Sequence, residues 1–427
     1  MTTLRAVRDF PLAVRLLLVN QFGVNTGFYL LVPYLALHLG ENLGMSAAIV
    51  GVVLGVRNLS QQGLFIIGGS AADRLGARGV IITGCALRTV GFGLFALGDS
   101  LTVLLAASVL SGMAGALFNP AVRAYIAVES GDRRAEAFAL FQVFATCGAL
   151  VGPLLGGVLL LVDFRTSALT AAAIFAVLTV AQALVLPARR VERLDRPGVL
   201  TDWREVLGNR RFLAFALAMT GMFTLETQLY LLLPDGARTA GGWAGAAGLL
   251  FLVGTVAGLT LQLRITTRLK RRGRRGRWIS LGLALMGLAF LIPLPVVGVS
   301  DPGVPDGTAA AVLRLLPVLL AALVLYLGVM TAQPFVMELV PAFGRSSLTG
   351  THLGVFYMVS GLAAALGNIL VGWTMDLGEN PGISWLPWVC CAAIGLASAG
   401  GVALLSRRSL LPDPGAPVPA PARGAAP

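Results

Sequence analysis

Long apolar runs, broken by short polar stretches, repeat along the whole of this chain. They predict helices near residues 13–37, 47–72, 79–98, 101–122, 137–161, 166–187, 212–233, 243–265, 278–298, 310–337, 348–374 and 385–405. A hydrocarbon core of ~30 Å takes about 20 apolar residues of helix to cross. Segments such as Leu101 to Leu117 and Leu249 to Leu263 are continuous rather than alternating. That excludes the ~10-residue alternating strands of a membrane β-barrel. Twelve spans consume most of the 427 residues and leave no room for a sizeable soluble domain. The expected fold class is an all-α membrane protein with twelve transmembrane helices.

Composition agrees. Hydrophobic residues make up 56% of the chain, charged residues 12%, and mean hydropathy is +0.83. A soluble domain carries roughly 25% charged residues. The net charge of +12 would suit nucleic acid, but its placement argues otherwise. With the N-terminus inside, only Arg165 and Arg238 fall in external loops, and Arg15, Arg57, Arg88, Arg264 and Arg314 fall in spans or at their edges. The rest of the 32 lysines and arginines are cytoplasmic, the bias that orients membrane proteins. Runs such as Arg189-Arg190 and Lys270-Arg271-Arg272 therefore set topology first and meet anionic lipid headgroups second. No nucleic-acid partner is expected. Cys85, Cys147, Cys390 and Cys391 lie inside predicted helices without metal-ligand spacing and read as packing residues. The first apolar run is too long for a cleavable signal.

The longest inside connection, 188–211, divides the spans into bundles over 1–187 and 212–405. A Pro/Ala/Gly-rich stretch ends the chain, and residues 406–427 are expected to form a disordered cytoplasmic tail. Within the connection, 203–207 is expected to form a short surface helix. Internal similarity supports the division. Tyr29-Leu30-Leu31-Val32-Pro33 recurs as Tyr230-Leu231-Leu232-Leu233-Pro234, an offset of 201 residues. Asn119-Pro120 recurs as Gln333-Pro334, and Gly152 and Gly157 as Gly367 and Gly372. Two six-helix repeats place a substrate site near the midplane between them, reached alternately from either side.

Two strings carry mechanism. At the inner end of span two stands Gly69-Ser70-Ala71-Ala72-Asp73-Arg74-Leu75-Gly76-Ala77-Arg78. A carboxylate there, at Asp73, is stabilised by a helix N-terminus, and span eleven begins on the same side. The other reading is a polar turn with ordinary topology-setting arginines. In span five stands Gly148-Ala149-Leu150-Val151-Gly152-Pro153-Leu154-Leu155-Gly156-Gly157. Its proline bends the helix, and its glycines offer a bare face for close packing or pivoting.

These strings resemble the signature motifs of the major facilitator superfamily; the second is similar to its antiporter motif. The likeness extends to bacterial MdtH-type multidrug transporters through Leu54-Gly55-Val56-Arg57, Gln61-Gln62-Gly63, Leu87-Arg88, Leu110-Ser111-Gly112 and Phe118-Asn119-Pro120. Asp163-Phe164-Arg165, Gly372-Trp373 and Asp376-Leu377-Gly378 also fit. The resemblance implies a monomeric transporter of the bacterial inner membrane, and the arginine distribution predicts that both termini are cytoplasmic. The resemblance also implies proton-coupled drug export, hence antibiotic resistance, with protons, bilayer and a small molecule as its partners. Gly69, Asp73, Arg74, Gly76 and Arg78 would then form the conformational loop motif. Gly148, Gly152, Pro153, Gly156 and Gly157 would form the antiporter motif. The chain departs at Ala71 and Ala77, at Ser108, which replaces a common arginine, and at Asn20, where MdtH-type proteins carry aspartate.

The proton site is therefore argued from the residues. Intramembrane ionisable groups mark function by default. Arg57 and Arg88 lie about ten residues into their spans, ~15 Å deep. Glu226 is the one acid well inside a span; Glu338, at a span end, reads as solvated, and His38 and His352 as interfacial. The 201-residue offset maps Asn25 onto Glu226, so both are expected to face the central cavity. The candidate set for coupling and substrate is Glu226, Asn25, Asn20, Arg57 and Arg88, with either arginine a possible permanent ion-pair partner for Glu226. No hydrolytic or nucleotide-binding motif occurs, so neither enzyme activity nor a cofactor is expected, and the proton gradient is the energy source. A carrier of a metabolite, siderophore or sugar-like substrate, anionic given the arginines, is the alternative in either direction. A non-transporting sensor or intramembrane enzyme lacks the required parts.

Overall fold

A computed structural model describes residues 7–8, 10–65, 67–68, 71, 76–130, 133–187, 199–243, 245–270, 272, 274–297, 308–344, 348–378, 380 and 382–412. All regular structure among them is helical. The first half holds α1 (Leu12–Leu37), α2 (Ala47–Gly63), α3 (Ala77–Leu97), α4 (Leu101–Glu129), α5 (Arg134–Leu159) and α6 (Phe164–Val185). A surface helix, α7 (Val199–Gly208), follows, covering the 203–207 expectation. The second half holds α8 (Arg210–Ala218), α9 (Thr220–Thr227), α10 (Leu232–Gly241), α11 (Ala246–Lys270), α12 (Arg275–Ala289), α13 (Leu294–Val297), α14 (Thr308–Ala342), α15 (Thr349–Gly378) and α16 (Leu386–Arg407).

Local chemistry sets several helix starts. Ser46, Ser100, Asp163 and Asn209 each accept a hydrogen bond from the backbone N–H three residues on, satisfying a donor that the first turn leaves unpaired. Gly76 precedes α3 at φ 91°, a backbone conformation that a side chain would strain. Arg78, the second residue of the helix, donates to the carbonyls of Ala183 and Leu186 at 2.8 and 2.6 Å. It thereby closes the end of α6, where carbonyls lack partners.

Nine helical stretches among the described residues are long and apolar enough to cross a membrane. The spans predicted at 47–72, 243–265 and 278–298 appear as α2, α11 and α12 and are not among the nine. The predicted tail and the 188–198 part of the central loop lie largely outside the described residues. The 212–233 run, predicted as one helix, is three. It stops at Met219 and again over Gln228–Leu231, where tight bonds join Leu229 N–H to Glu226 O (3.2 Å) and Tyr230 N–H to Thr227 O (3.0 Å). Backbone groups freed inside a membrane need protein partners, and Leu233 N–H returns to Gln228 O at 3.0 Å. Glu338 is also not simply solvated, since Arg275 pairs with it at 2.8 Å.

The two halves repeat one packing scheme. In the first, α1 packs on α5 and α6, and α3 on α4 and α6. In the second, α9 packs on α15 and α16, and α12 on α14 and α16. The halves meet along two seams, α2 against α15 and α5 against α11.

Candidate functional site

The site begins with backbone contact that only small residues permit. A methyl group added at Gly148, Gly152 or Gly156 would run into the carbonyl oxygens of Phe22, Thr26 or Leu30. Both series advance by four residues, so one face of α5 lies bare along one face of α1. Such faces let membrane helices approach closely. The carbonyl of Pro153 accepts the Tyr34 hydroxyl at 2.6 Å, and Gly157 leaves room for that same hydroxyl. In the second half, Gly367 faces Thr224 of α9, as Gly152 faces α1.

The α2–α15 seam is built the same way. Gly51 and Gly55 lie against the backbones of Asn368 and Ala365, and Gly372 against Ala47. Where α2 begins, the Asp376 carboxylate accepts from Ala47 N–H at 2.5 Å and Ala48 N–H at 2.9 Å. An acid of one half thus closes the helix N-terminus of the other, where the macrodipole favours negative charge. At the same end Arg238 of α10 pairs with Glu41, beyond α1. This end of the bundle is closed by polar links between the halves. The sequence marks Asp376 only through the string Asp376-Leu377-Gly378; its place four residues after Gly372, on the small-residue face of a span, was the available signal.

Deep in the bundle, Glu226 stands at the end of α9 beside the break. Tyr29, Tyr230, Tyr326 and Tyr357 lie within electrostatic reach of its carboxylate. All five side chains are half-buried although surrounded by protein, as side chains facing an internal space are. Tyr29 and Tyr230 meet over Phe251, with ring centroids 5.7 and 5.5 Å from it. Among the described residues Glu226 has no ion-pair partner. The permanent pair with Arg57 or Arg88 that the sequence left open does not form. The break itself is pinned by Thr227 and Gln228, which donate to Asn368 Oδ1 at 2.8 and 3.0 Å. Asn368 therefore joins the Glu226 segment to the α2–α15 seam.

Arg57 and Arg88 are both buried. Arg57 donates to Asn58 at 3.2 Å and Gln61 at 3.0 Å and lies 4.5 Å from the Phe28 ring centre. Arg88 faces Phe118 and Phe175 at 5.3 and 5.6 Å. Asn20 is not part of this interior space. It is fully buried against α6, where Gln182 donates to it at 2.7 Å. Asn25 is half-buried and spends its amide on Ala145 O of α5 at 2.8 Å, so it serves the α1–α5 contact rather than mirroring Glu226. Gly69, Asp73 and Arg74 lie outside the described residues.

Residues 17–367 match the Major Facilitator Superfamily. An uncharacterised MFS-type transporter of Mycobacterium tuberculosis is 41% identical over 399 residues, 92% of this chain and 93% of that protein. The multidrug resistance protein MdtH of Photorhabdus laumondii is 32% identical over 381 residues, 89% of this chain and 91% of that one. The crystal structure of peptide transporter POT in complex with sulfate superposes with a TM-score of 0.77 at 16% identity, covering 97% of this chain and 100% of that chain. For the nucleoside transporter NupG the values are 0.75, 14%, 93% and 98%. At these identities the structural likeness is one of fold.

Proposed function

Because the chain belongs to the major facilitator superfamily, whose members are membrane transporters and not enzymes, we propose that it exports small amphipathic or cationic organic compounds by proton antiport. The observation that carries this reading is Glu226, a carboxylate without a cationic partner among the described residues, set among four tyrosines. Aromatic faces attract organic cations, and a buried carboxyl needs compensation. Glu226 has two ways to obtain it: it takes a proton, or it takes a cationic substrate. The two are mutually exclusive, and that exclusion couples their fluxes. The kinship with MdtH supports the same reading.

Transport in this reading needs no cofactor, and a monomer suffices. Both termini are cytoplasmic in a bacterial inner membrane, so the end closed by Asp376 faces outward. The broken α8–α10 segment lies where discontinuous helices form binding sites in other transporters. The small-residue seams are surfaces along which the halves can rock. The test is efflux from everted vesicles of cells producing the protein, energised by respiration, with ethidium as probe. Accumulation of dye inside the vesicles that collapses when a protonophore is added is expected. Dye movement that ignores the proton gradient contradicts the proposal.

A further inference from the structure

Helices α11 and α14 leave a groove of about 350 Å³ beside their contact. Its lining includes Val253, Val256, Ala257, Thr260 and Leu261 of α11 and Leu323 of α14. Thr260, the polar residue among these, spends its hydroxyl inside the helix on Val256 O at 2.7 Å. Val256 is 51% exposed, so the groove opens to the bilayer. An apolar groove of this kind accepts hydrocarbon, and by itself favours no one lipid.

Selection comes from one end. Arg264 stands seven residues after Ala257 and eleven after Val253, and Arg268 stands seven after Leu261 and eleven after Ala257. At 3.6 residues per turn these spacings are close to whole turns, so both arginines continue the line of the groove. Both are exposed, and among the described residues neither has an ion-pair partner. No acidic residue occurs between Asp235 and Asp301 to neutralise them from nearby in the chain. The apolar part of α11 ends at Gln262, so the two guanidinium groups come where hydrocarbon gives way to headgroups. Leu261 and Val253 precede Arg264 by three and eleven residues, ~4 and ~16 Å along the axis. One leaflet of a ~30 Å hydrocarbon core is about 15 Å deep. The groove therefore has the depth of one acyl chain hanging from a headgroup held at the arginines.

We propose that this groove binds one anionic phospholipid, with its phosphate on Arg264 and Arg268 and an acyl chain between α11 and α14. Guanidinium forks match phosphate geometry, and basic pockets between membrane helices hold anionic headgroups. The lipid then lies on the helix that also forms the α5–α11 seam between the halves.

The test is native mass spectrometry of delipidated protein, titrated with phosphatidylglycerol and with phosphatidylcholine of the same acyl chains. The wild type is expected to retain one phosphatidylglycerol about tenfold more strongly than phosphatidylcholine, the scale of one charge-assisted pair. That preference should disappear when Arg264→Gln and Arg268→Gln are combined. Val256→Trp keeps both arginines and sets a ring over the groove, and should weaken phosphatidylglycerol retention several-fold. Combining Arg407→Gln with Arg408→Gln removes two exposed arginines at the end of α16 and should change nothing. All the substituted side chains are exposed, so the variants are expected to fold. Equal retention of the two lipids by the wild type overturns the site. So does equal loss in the two paired arginine variants, which would make the effect one of general charge, or retention indifferent to Val256→Trp. A dimer that Val256→Trp abolishes would put a second copy of the chain in the groove and overturn it as well. No transport is measured, so this outcome is independent of proton-coupled export.

Discussion

Tyr29 and Tyr230 occupy the same place in two repeats 201 residues apart, and they meet inside the protein over one ring, Phe251, at 5.7 and 5.5 Å. A sequence repeat has become a contact between the two halves. Glu226 stands four residues before Tyr230, at the edge of the helix break. The chain thus places its interior acid near a contact between the two halves, where both can act on one bound molecule.

The Asp376 link predicts a shift of conformation. A carboxylate on a helix N-terminus contributes ~0.3–1 kcal/mol, and up to ~2 when partly buried. Asp376→Asn keeps the shape and removes the charge. The end carrying the 43–46 turn should open several-fold more often. Spin labels on that turn and on the loop after α15 should report a larger long-distance population. An unchanged distance distribution would leave Asp376 with only a capping role.

Asp73 is expected to act in the opposite sense. If it binds the start of α15 as Asp376 binds the start of α2, Asp73→Asn should free the other end of the bundle. The cavity should then become more accessible from the cytoplasm while transport falls. Full transport by the Asn variant would reduce Asp73 to a turn former.

The glycines of α5 predict a contrast in stability. Ala at Gly156 would collide with Leu30 O, whereas Gly93 of α3 has nothing within 4 Å. Gly156→Ala should destabilise by roughly 1–3 kcal/mol, the usual range for overpacking, and lower the unfolding temperature in detergent. Gly93→Ala should leave it nearly unchanged. Equal behaviour of the two variants would mean that the α1–α5 contact is looser than the carbonyl spacing implies.

Topology offers an independent check on the orientation assigned to both gates. The arginine distribution predicts both termini and the 188–211 loop inside, with 299–309 and 375–384 outside. Single cysteines at these places should react with an impermeant thiol reagent in intact cells only in the last two. Labelling of the central loop would invert the assignment.

Much of this architecture was legible in the sequence because hydropathy records the bilayer directly. The apolar runs located the helices, and the spacing of Gly148, Gly152 and Gly156 marked a packing face. Direction around a helix was less legible. When every face is apolar the pattern carries little azimuthal information, so Asn20 and Asn25 looked equivalent to Glu226 although they turn toward α6 and α5. The break in the seventh span was hidden for a related reason. Tyr230 to Leu233 has the composition of a continuous helix, but Pro234 has no N–H to give to the carbonyl of Tyr230, and Gln228 bonds instead to Asn368, a residue 140 positions away. Asp376 was visible as a motif residue, but its partner, the start of α2, belongs to the other half.

The most direct measurement uses Glu226→Gln in proteoliposomes with an imposed pH gradient, because the substitution keeps the shape and removes the titrating group. The wild type should concentrate a cationic dye against its gradient. The variant should lose that uphill transport by a factor of about ten or more, the scale of one buried charge-assisted interaction, while still exchanging dye downhill. Uphill transport by Glu226→Gln at the wild-type rate, with the same dependence on the imposed gradient, would contradict the account.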